Sequence, residues 1–427
     1  MGQTNVFDVL QARGFMAQTT GESQIRSELG KAPQTIYVGY DPTADSLHVG
    51  HLLTLMALAH FRALGHHVIV LLGGGTAMVG DPSGKSEMRP LLLFNTIQEN
   101  AKKISQQVHQ LLPQGSGKLF VENNADWLLG LNYIEFLRDV GKHFSVNRML
   151  TAESYKIRME KGLSFLEFNY QILQAYDFLE LYKRHHCRFQ MGGDDQWSNI
   201  LAGVDLCRRL AQGEVYGITV PLLLTSVGEK MGKTAKGAVW LDLSKLPAYD
   251  YYQYWVNLRD DDIQRMLAYF TFLPMDEIKT MNINDEMQIQ AAKRVLAYEA
   301  TLIAHGQEQA VAAHHAAMSA FGKTSLAAAV LPSSRMPRDV STNIENIPSM
   351  TLESSAILTG IALVDLVVNA QLSDSKRNAR RLLEQGGIML QNQVINDVNY
   401  QVSQADFSDN YLLLKAGKKK IIRIVLK

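Results

Sequence analysis

A chain of 427 residues, 46% of them apolar, has material for about three domains and a large buried core. Its 42 Lys and Arg balance its 42 Asp and Glu, so no net field draws the whole protein toward nucleic acid or membrane. The balance is uneven: residues 361–427 hold 10 Lys and Arg against 6 Asp and Glu, a net +4, and the first 360 carry the compensating −4. A polyanionic partner should therefore meet the C-terminal end. Two cysteines, Cys187 and Cys207, cannot build a disulfide framework and suit a reducing compartment. Asp8, Arg13, Glu22 and Arg26 interrupt any apolar leader. The longest apolar stretch, Val68 to Val79, is too short and Gly-rich to span a bilayer. The expectation is a soluble cytoplasmic protein with no membrane contact.

In chain order, residues 5–30 read as amphipathic helices. Thr35 to Val38 reads as a buried strand, turning at Gly39 and Asp41-Pro42-Thr43 into a helix that starts near Ser46. Such a strand–turn–helix offers backbone N–H groups and a helix N-terminus to phosphates. His48 and His51, three apart, share one face of the first helical turn, and the Thr43 hydroxyl adds another donor. Gly65 ends this helix and HVIVLLGG forms a second buried strand, giving a right-handed βαβ unit with a parallel sheet. The next loop, GGGTAMVGDPSGKSE, fits neither familiar phosphate fingerprint. Met78 stands where GxGxxG needs its third Gly, and Gly80 to Gly84 is one residue short of a Walker A spacing.

Residues 95–160 read as mostly helical. A long helix over Ser164 to Arg184 follows, with Ser164 as N-cap and Glu167 completing a capping box. On it Tyr170, Gln174 and Asp177 form one polar stripe at i, i+4 and i+7, poor core material unless each head finds a partner. FQMGGDDQWSNI, Phe189 to Ile200, reads as strand, Gly turn and helix start. Lys230-Met231-Gly232-Lys233-Thr234 is a loop whose two lysines and hydroxyl can wrap a departing anion. From Tyr249 to Gly322 the chain is helical. A stretch with Pro332, Pro337 and Pro348 reads as a linker. Beyond it Lys376, Arg377, Arg380 and Arg381 make a basic stripe at helical spacing, and Lys418-Lys419-Lys420 sits between the last strands.

The run YVGYDPTADSLHVGH, Tyr37 to His51, resembles the HIGH signature of class I aminoacyl-tRNA synthetases, and its surroundings resemble the bacterial-type tyrosyl-tRNA synthetase family. LRDVGKHFSVNRML is similar to a segment of that family, and KMGKT, about 180 residues beyond the first signature, resembles the KMSKS loop. The tail, with GGIMLQNQVI, resembles a small RNA-binding module also found in a ribosomal small-subunit protein and in pseudouridine synthases. The resemblance implies an α/β fold: a Rossmann-like parallel-sheet catalytic domain over 1–245, a helical domain over 246–325, a linker over 326–351 and a small α+β RNA-binding domain over 352–427.

It also implies roles. Tyr37 and Asp177 would hydrogen-bond a phenolic hydroxyl, while Asp81, Tyr170 and Gln174 would bind the ammonium group, with Gln196 beside the amino acid. Gly39, Asp41, Gly50, Asp195 and Lys233 would contact ATP, with Asp195 on the ribose. Thr43, His48, His51, Lys230, Lys233 and Thr234 would stabilise the phosphates during reaction. The basic stripe and Lys418, Lys419 and Lys420 would meet RNA. The implied activity is tyrosine activation by Mg-ATP, a substrate, followed by transfer to the cognate tRNA by a homodimer with no permanently bound cofactor and no metal site. The chain departs from the family pattern at Asp194 and Ser198, where Ser and Gly are common. An added carboxylate beside an ATP site is repulsive unless it points away. Three alternatives remain at this stage. A tryptophanyl-type synthetase suits Tyr37 and Asp177 less well; a metabolite nucleotidyltransferase needs no RNA module; a non-catalytic RNA-binding protein would tolerate loss of His48 or Lys233.

Overall fold

The computed structural model describes residues 4–427 except 85–86, 88–89, 113–114, 230, 235–236, 322–329, 339–346, 359, 392, 409 and 418–419, and only the backbone at 233–234, 320–321, 356 and 358. It separates into two compact units, Met1–Leu246 with Gln264–Thr280, and Pro247–Ile263 with Met281–Lys427.

The first unit opens with α1 (Val6–Arg13) and α2 (Glu22–Lys31). It then builds a parallel sheet from β1 (Thr35–Tyr40), β2 (His67–Leu72), β3 (Leu119–Asn123), β4 (Phe189–Gly193) and β5 (Tyr216–Val220) in the order β3-β2-β1-β4-β5. The crossovers are α3 (Val49–Ala63) between β1 and β2, and α4 (Phe94–Leu111) between β2 and β3. Beyond β3 come α5 (Ala125–Leu128), α6 (Tyr133–Asp139), α7 (Val146–Met149), α8 (Glu153–Met159) and α9 (Phe165–His185), with α10 (Trp197–Ala211) joining β4 to β5. β1, β2, β4 and β5 are buried along nearly their whole length, as strands covered on both faces must be. The strand order reverses between β1 and β4, so their carboxyl ends open the crevice where such folds bind ligands.

The long helix α9 starts where its sequence demands. Ser164 Oγ accepts the Glu167 N–H at 3.2 Å, and Glu167 Oε2 accepts the Ser164 N–H at 3.2 Å. Glu167 also pairs with Arg158 of α8 through two bonds of 3.0 and 3.1 Å, both side chains nearly sealed from solvent.

Two local expectations are corrected, and one strand was not foreseen. The signature helix begins at Val49, not near Ser46, because Leu47 and Val49 make extended backbone bonds to Leu241 and Val239. Within 95–160, expected mostly helical, β3 pairs along β2 from Val68–Leu119 to Leu72–Asn123. It lies at the sheet edge, half-buried throughout, and Glu122 breaks the apolar run that would have marked it. β5 follows α10 without having been anticipated.

After the two-residue strands β6 (Lys233–Thr234) and β7 (Gly237–Ala238), the chain enters α11 (Ala248–Val256), α12 (Ile263–Phe270) and α13 (Met275–Thr280). Residues 264–280 belong with the first unit through Arg13, whose buried guanidinium donates to the carbonyls of Ala268, Thr271 and Leu273. In the second unit α14 (Glu286–Phe321), broken at Gly306, packs on α11. Residues 330–338, within the stretch that reads as linker, are tied to this helix: the Ser334 hydroxyl and the Arg335 N–H donate to Glu299 Oε1 at 2.7 and 2.8 Å.

The rest of the second unit is a small α+β module. β8 (Ser349–Leu352), α15 (Ser354–Leu358), β9 (Ile361–Ala362), α16 (Leu363–Asn369), α17 (Lys376–Glu384), β10 (Ile388–Leu390), β11 (Gln393–Val394), β12 (Gln401–Val402), β13 (Tyr411–Ala416) and β14 (Lys420–Leu426) follow one another. Its main sheet runs β11-β10-β13-β14-β8, and Leu366, Val367, Ala379, Leu383, Ile388, Leu414 and Ile424 share one core.

Candidate active site

The crevice at the ends of β1 and β4 is lined by Tyr37, Gly39, Asp41, Thr43, His48, Gly50, His51, Asp81, Tyr170, Gln174, Asp177, Asp195 and Gln196, together with Met231 and Gly232 of the lysine loop. Residues separated by nearly 200 positions thus meet in one cleft.

The two histidines are fixed by the helix start itself. His48 Nδ1 accepts the Gly50 N–H at 3.1 Å, and His51 Nδ1 accepts the His48 N–H at 3.2 Å, with the rings stacked 3.8 Å apart. In a neutral imidazole, accepting at Nδ1 leaves the proton on Nε2, so each ring is a donor there. The lysine loop is held against this turn. Val49 N–H bonds to Val239 O at 2.9 Å, Leu241 N–H to Leu47 O at 2.9 Å, and Val239 N–H to Gly232 O at 2.8 Å. Gly232 has φ +84, and a Cβ there would stand 3.4 Å from the Gly50 nitrogen, which favours glycine at this position. Lys233 and Thr234 form β6, paired antiparallel to β7; Lys230 lies outside the described residues.

One end of the cleft is built around Asp177, which is sealed from solvent. Its Oδ1 accepts Trp127 Nε1–H at 2.8 Å and its Oδ2 accepts Asn124 Nδ2–H at 2.9 Å. Burial pushes its carboxyl up to about 8, although both donors favour the charged form. The Tyr37 hydroxyl is buried without a hydrogen-bond partner among the described residues. Burial, reinforced by Asp177, raises the Tyr37 phenol well above its ordinary range and keeps it protonated.

A neighbouring network is joined to this one, because Asn124 Nδ2–H also donates to Thr76 Oγ1 at 2.9 Å. The Tyr170 hydroxyl donates to Asp41 Oδ2 at 2.9 Å, and Thr76 Oγ1 donates to Asp41 Oδ1 at 2.7 Å. Asp81 Oδ2 accepts Gln196 Nε2–H at 2.8 Å, and Asn199 Nδ2 bridges Gln174 Oε1 at 3.0 Å and Gln196 Oε1 at 3.1 Å. Asp194, the added carboxylate, turns away: its Oδ1 accepts from Gln18 Nε2 at 2.7 Å and Thr219 Oγ1 at 2.8 Å, and only Asp195 lines the cleft. Among the described residues no three His, Cys, Asp or Glu side chains are placed to hold a metal ion.

Sequence reasoning missed Thr76, Asn124, Trp127 and Asn199. Asn124 and Trp127 follow the carboxyl end of β3, so reading that edge strand was the signal that would have placed them.

The family model for tRNA synthetases class I (W and Y) matches residues 30–322, and that for the tyrosine–tRNA ligase SYY-like C-terminal domain matches residues 339–424. A tyrosine–tRNA ligase of Desulfatibacillum aliphaticivorans is 49% identical over 425 residues, 99% of each chain. The chain belongs to the tyrosine–tRNA ligase family. A second tyrosine–tRNA ligase, from Clostridium beijerinckii, is 47% identical across 99% of this chain and 100% of its own. The solved C-terminally truncated mitochondrial tyrosyl-tRNA synthetase of Aspergillus nidulans is 32% identical, with a TM-score of 0.66, over 73% of this chain and 92% of that one.

The module that matches the ligases' C-terminal domain carries the basic stripe. Lys376, Arg377, Arg380 and Arg381 are all exposed on α17, with Lys376 paired to Asp365 at 2.8 Å. Lys420 donates to the Leu372 carbonyl at 3.0 Å, while Lys418 and Lys419 lie outside the described residues. Among the described residues no helix is long and apolar enough to cross a membrane.

Proposed function

We propose that the cleft binds L-tyrosine and Mg-ATP side by side, forms tyrosyl-adenylate, and passes tyrosine to the 3′ end of its cognate tRNA. The observation that carries this reading is the Tyr37 hydroxyl, buried without a hydrogen-bond partner among the described residues and lining the same cleft as Asp177. A substrate phenol satisfies both groups at once, whereas an indole or phenyl ring leaves buried polar atoms unpaired. We assign Asp81, Tyr170 and Gln174 to the substrate ammonium, with Gln196 beside the amino acid, and Gly39, Asp41, Gly50, Asp195 and Lys233 to ATP.

The tyrosine carboxylate attacks the α-phosphorus, and the bond to the bridging oxygen breaks, its electron pair leaving with pyrophosphate. The nucleophile is already charged, so no general base is needed, and the protein's part is positioning and charge stabilisation. Thr43, the Nε2–H groups of His48 and His51, Lys230, Lys233 and Thr234 supply that stabilisation. Each such donor is worth about 3–4 kcal/mol of activation energy. In the second step a terminal ribose hydroxyl of tRNA attacks the tyrosyl carbonyl carbon and AMP leaves. Lys376, Arg377, Arg380, Arg381 and Lys418 to Lys420 hold the tRNA through its phosphates. Exposed Leu129, Tyr133, Ile134, Leu137, Val146 and Phe165 support a homodimer, since a monomer rarely leaves so many large apolar side chains in water. The two unpaired thiols support a cytoplasmic setting.

ATP–pyrophosphate exchange with each of the twenty amino acids tests the reading. Tyrosine alone should support rapid exchange; exchange driven by tryptophan, or by none, overturns it. Sedimentation of a single species of chain mass at micromolar concentration would remove the dimer.

A further inference from the structure

Trp127 is the donor that reaches Asp177 Oδ1, and the flat face of the same indole carries the Arg184 guanidinium, with Cζ 5.0 Å from the ring centroid. Arg184 stands two helical turns beyond Asp177 on α9, so both approach Trp127 from one helix face. Arg184 is itself positioned: its Nε meets Glu180 Oε2 at 3.2 Å, one turn back, and the Glu180 side chain is mostly buried at 12% exposure. The indole is buried, so water does not compete for its N–H. A cation over an aromatic face is attracted by the ring quadrupole and draws electron density from the ring. That makes the ring N–H a stronger donor and fixes its tilt.

We propose that Arg184 is a positioning residue for tyrosine selection: held by Glu180, its guanidinium clamps the Trp127 indole and strengthens the N–H that orients the Asp177 carboxyl. The proposal rests on the reading of Asp177 as the acceptor for the substrate hydroxyl. Arg184 touches neither substrate, since it lies outside the cleft and is itself 46% exposed. Neither propensity nor the active-site signatures point to it; on sequence alone it is a surface arginine in the last turn of a helix.

The test compares Arg184→Gln and Arg184→Lys with wild type, using exchange kinetics with tyrosine and phenylalanine across a pH series. Arg184→Gln should raise KM for tyrosine about two- to fivefold, the size of a partly exposed cation–π contact. The preference for tyrosine over phenylalanine should fall by the same factor, with kcat and KM for ATP unchanged. Arg184→Lys, which keeps a cation, should recover part of the loss. The midpoint of the pH dependence of tyrosine KM should also move upward in Arg184→Gln, because a weaker N–H favours the protonated carboxyl. The other titratable groups acting on Asp177 are Asp41 and Glu180, Asp177 in turn raises Tyr37, Tyr170 and Tyr176, and all of these remain in both variants. Wild-type selectivity, KM and midpoint in Arg184→Gln overturn the proposal alone; so does an equal loss in kcat and in KM for ATP, which marks a merely structural role. A wild-type enzyme indifferent to the phenolic hydroxyl overturns the reading of Asp177 and this proposal with it.

Discussion

Tyr37 and Asp177 show how one buried hydroxyl and one buried carboxyl divide the work of recognition. Tyr37 has no hydrogen-bond partner among the described residues, whereas Asp177 already accepts from two N–H donors. Tyr37→Phe removes one hydrogen bond and leaves the ring in place. It should lower the tyrosine-to-phenylalanine ratio of kcat/KM by roughly a factor of ten, the net worth of one such bond. An unchanged ratio would mean that Tyr37 is not the wall against the hydroxyl. Asp177 allows a second prediction, in protons. Its carboxyl sits near 8 in the open cleft because burial disfavours the charge. A phenolic O–H reaching it is a further donor to the charged form and pulls that value down. At pH 7 the free enzyme therefore holds a proton that the complex gives up, so tyrosine binding should release most of a proton there and little above pH 9. Calorimetry in buffers of different ionisation enthalpy measures this, and Asp177→Asn should abolish it; equal heats in all buffers for the wild type would exclude the linkage.

At the scale of elements, α9 carries Tyr170, Gln174 and Asp177, so its placement decides whether the stripe faces the cleft. The placement is set at its first turn. Ser164 and Glu167 cap the helix, and the buried Arg158–Glu167 pair ties that turn to α8. Breaking such a pair on one side strands a buried charge, so Glu167→Ala should cost about 3–5 kcal/mol. Arg158→Met with Glu167→Leu replaces both charges with apolar volume and should recover most of that loss. Urea unfolding monitored by circular dichroism reports both, and a cost below about 1 kcal/mol for Glu167→Ala would show that the pair is not the anchor.

Over the whole molecule, the chemistry divides between two units. Every cleft residue lies in the first unit, and the exposed basic helix lies in a module of the second with its own core. A chain ended before Ile347, so that β8 leaves with the rest of its sheet, should retain tyrosine-dependent ATP–pyrophosphate exchange. Its tRNA affinity should fall and its salt dependence flatten, because lost phosphate contacts remove counterion release. Arg377, Arg380 and Arg381 changed together to Ala in the full chain should reproduce part of both effects. Charging of tRNA by the shortened chain at wild-type efficiency across a salt series would place the RNA contacts elsewhere.

What the sequence determined by itself was local. The capping box at Ser164 and the polar stripe at 170, 174 and 177 are patterns of a few residues, readable from propensity and periodicity, while HVGH after a buried strand and the KMGKT loop were legible through their resemblance to the synthetase signatures. The tertiary structure alone decided what depends on distant partners. His48 ends in an extended N-cap position because residues 239–241 bond to its neighbours, and no local signal encodes a partner almost 200 residues away. Asp194 turns from the cleft because Gln18 and Thr219 receive it, and residues 330–338 pack because Glu299 accepts from them. Edge strand β3, with Glu122 next to its last residue, exists because β2 offers a free side to pair with. Only that pairing brings Asn124 and Trp127 onto Asp177. Hydrogen bonds between segments far apart in the chain leave no periodic trace, and for this reason the supporting residues of the site became legible only once the chain was folded.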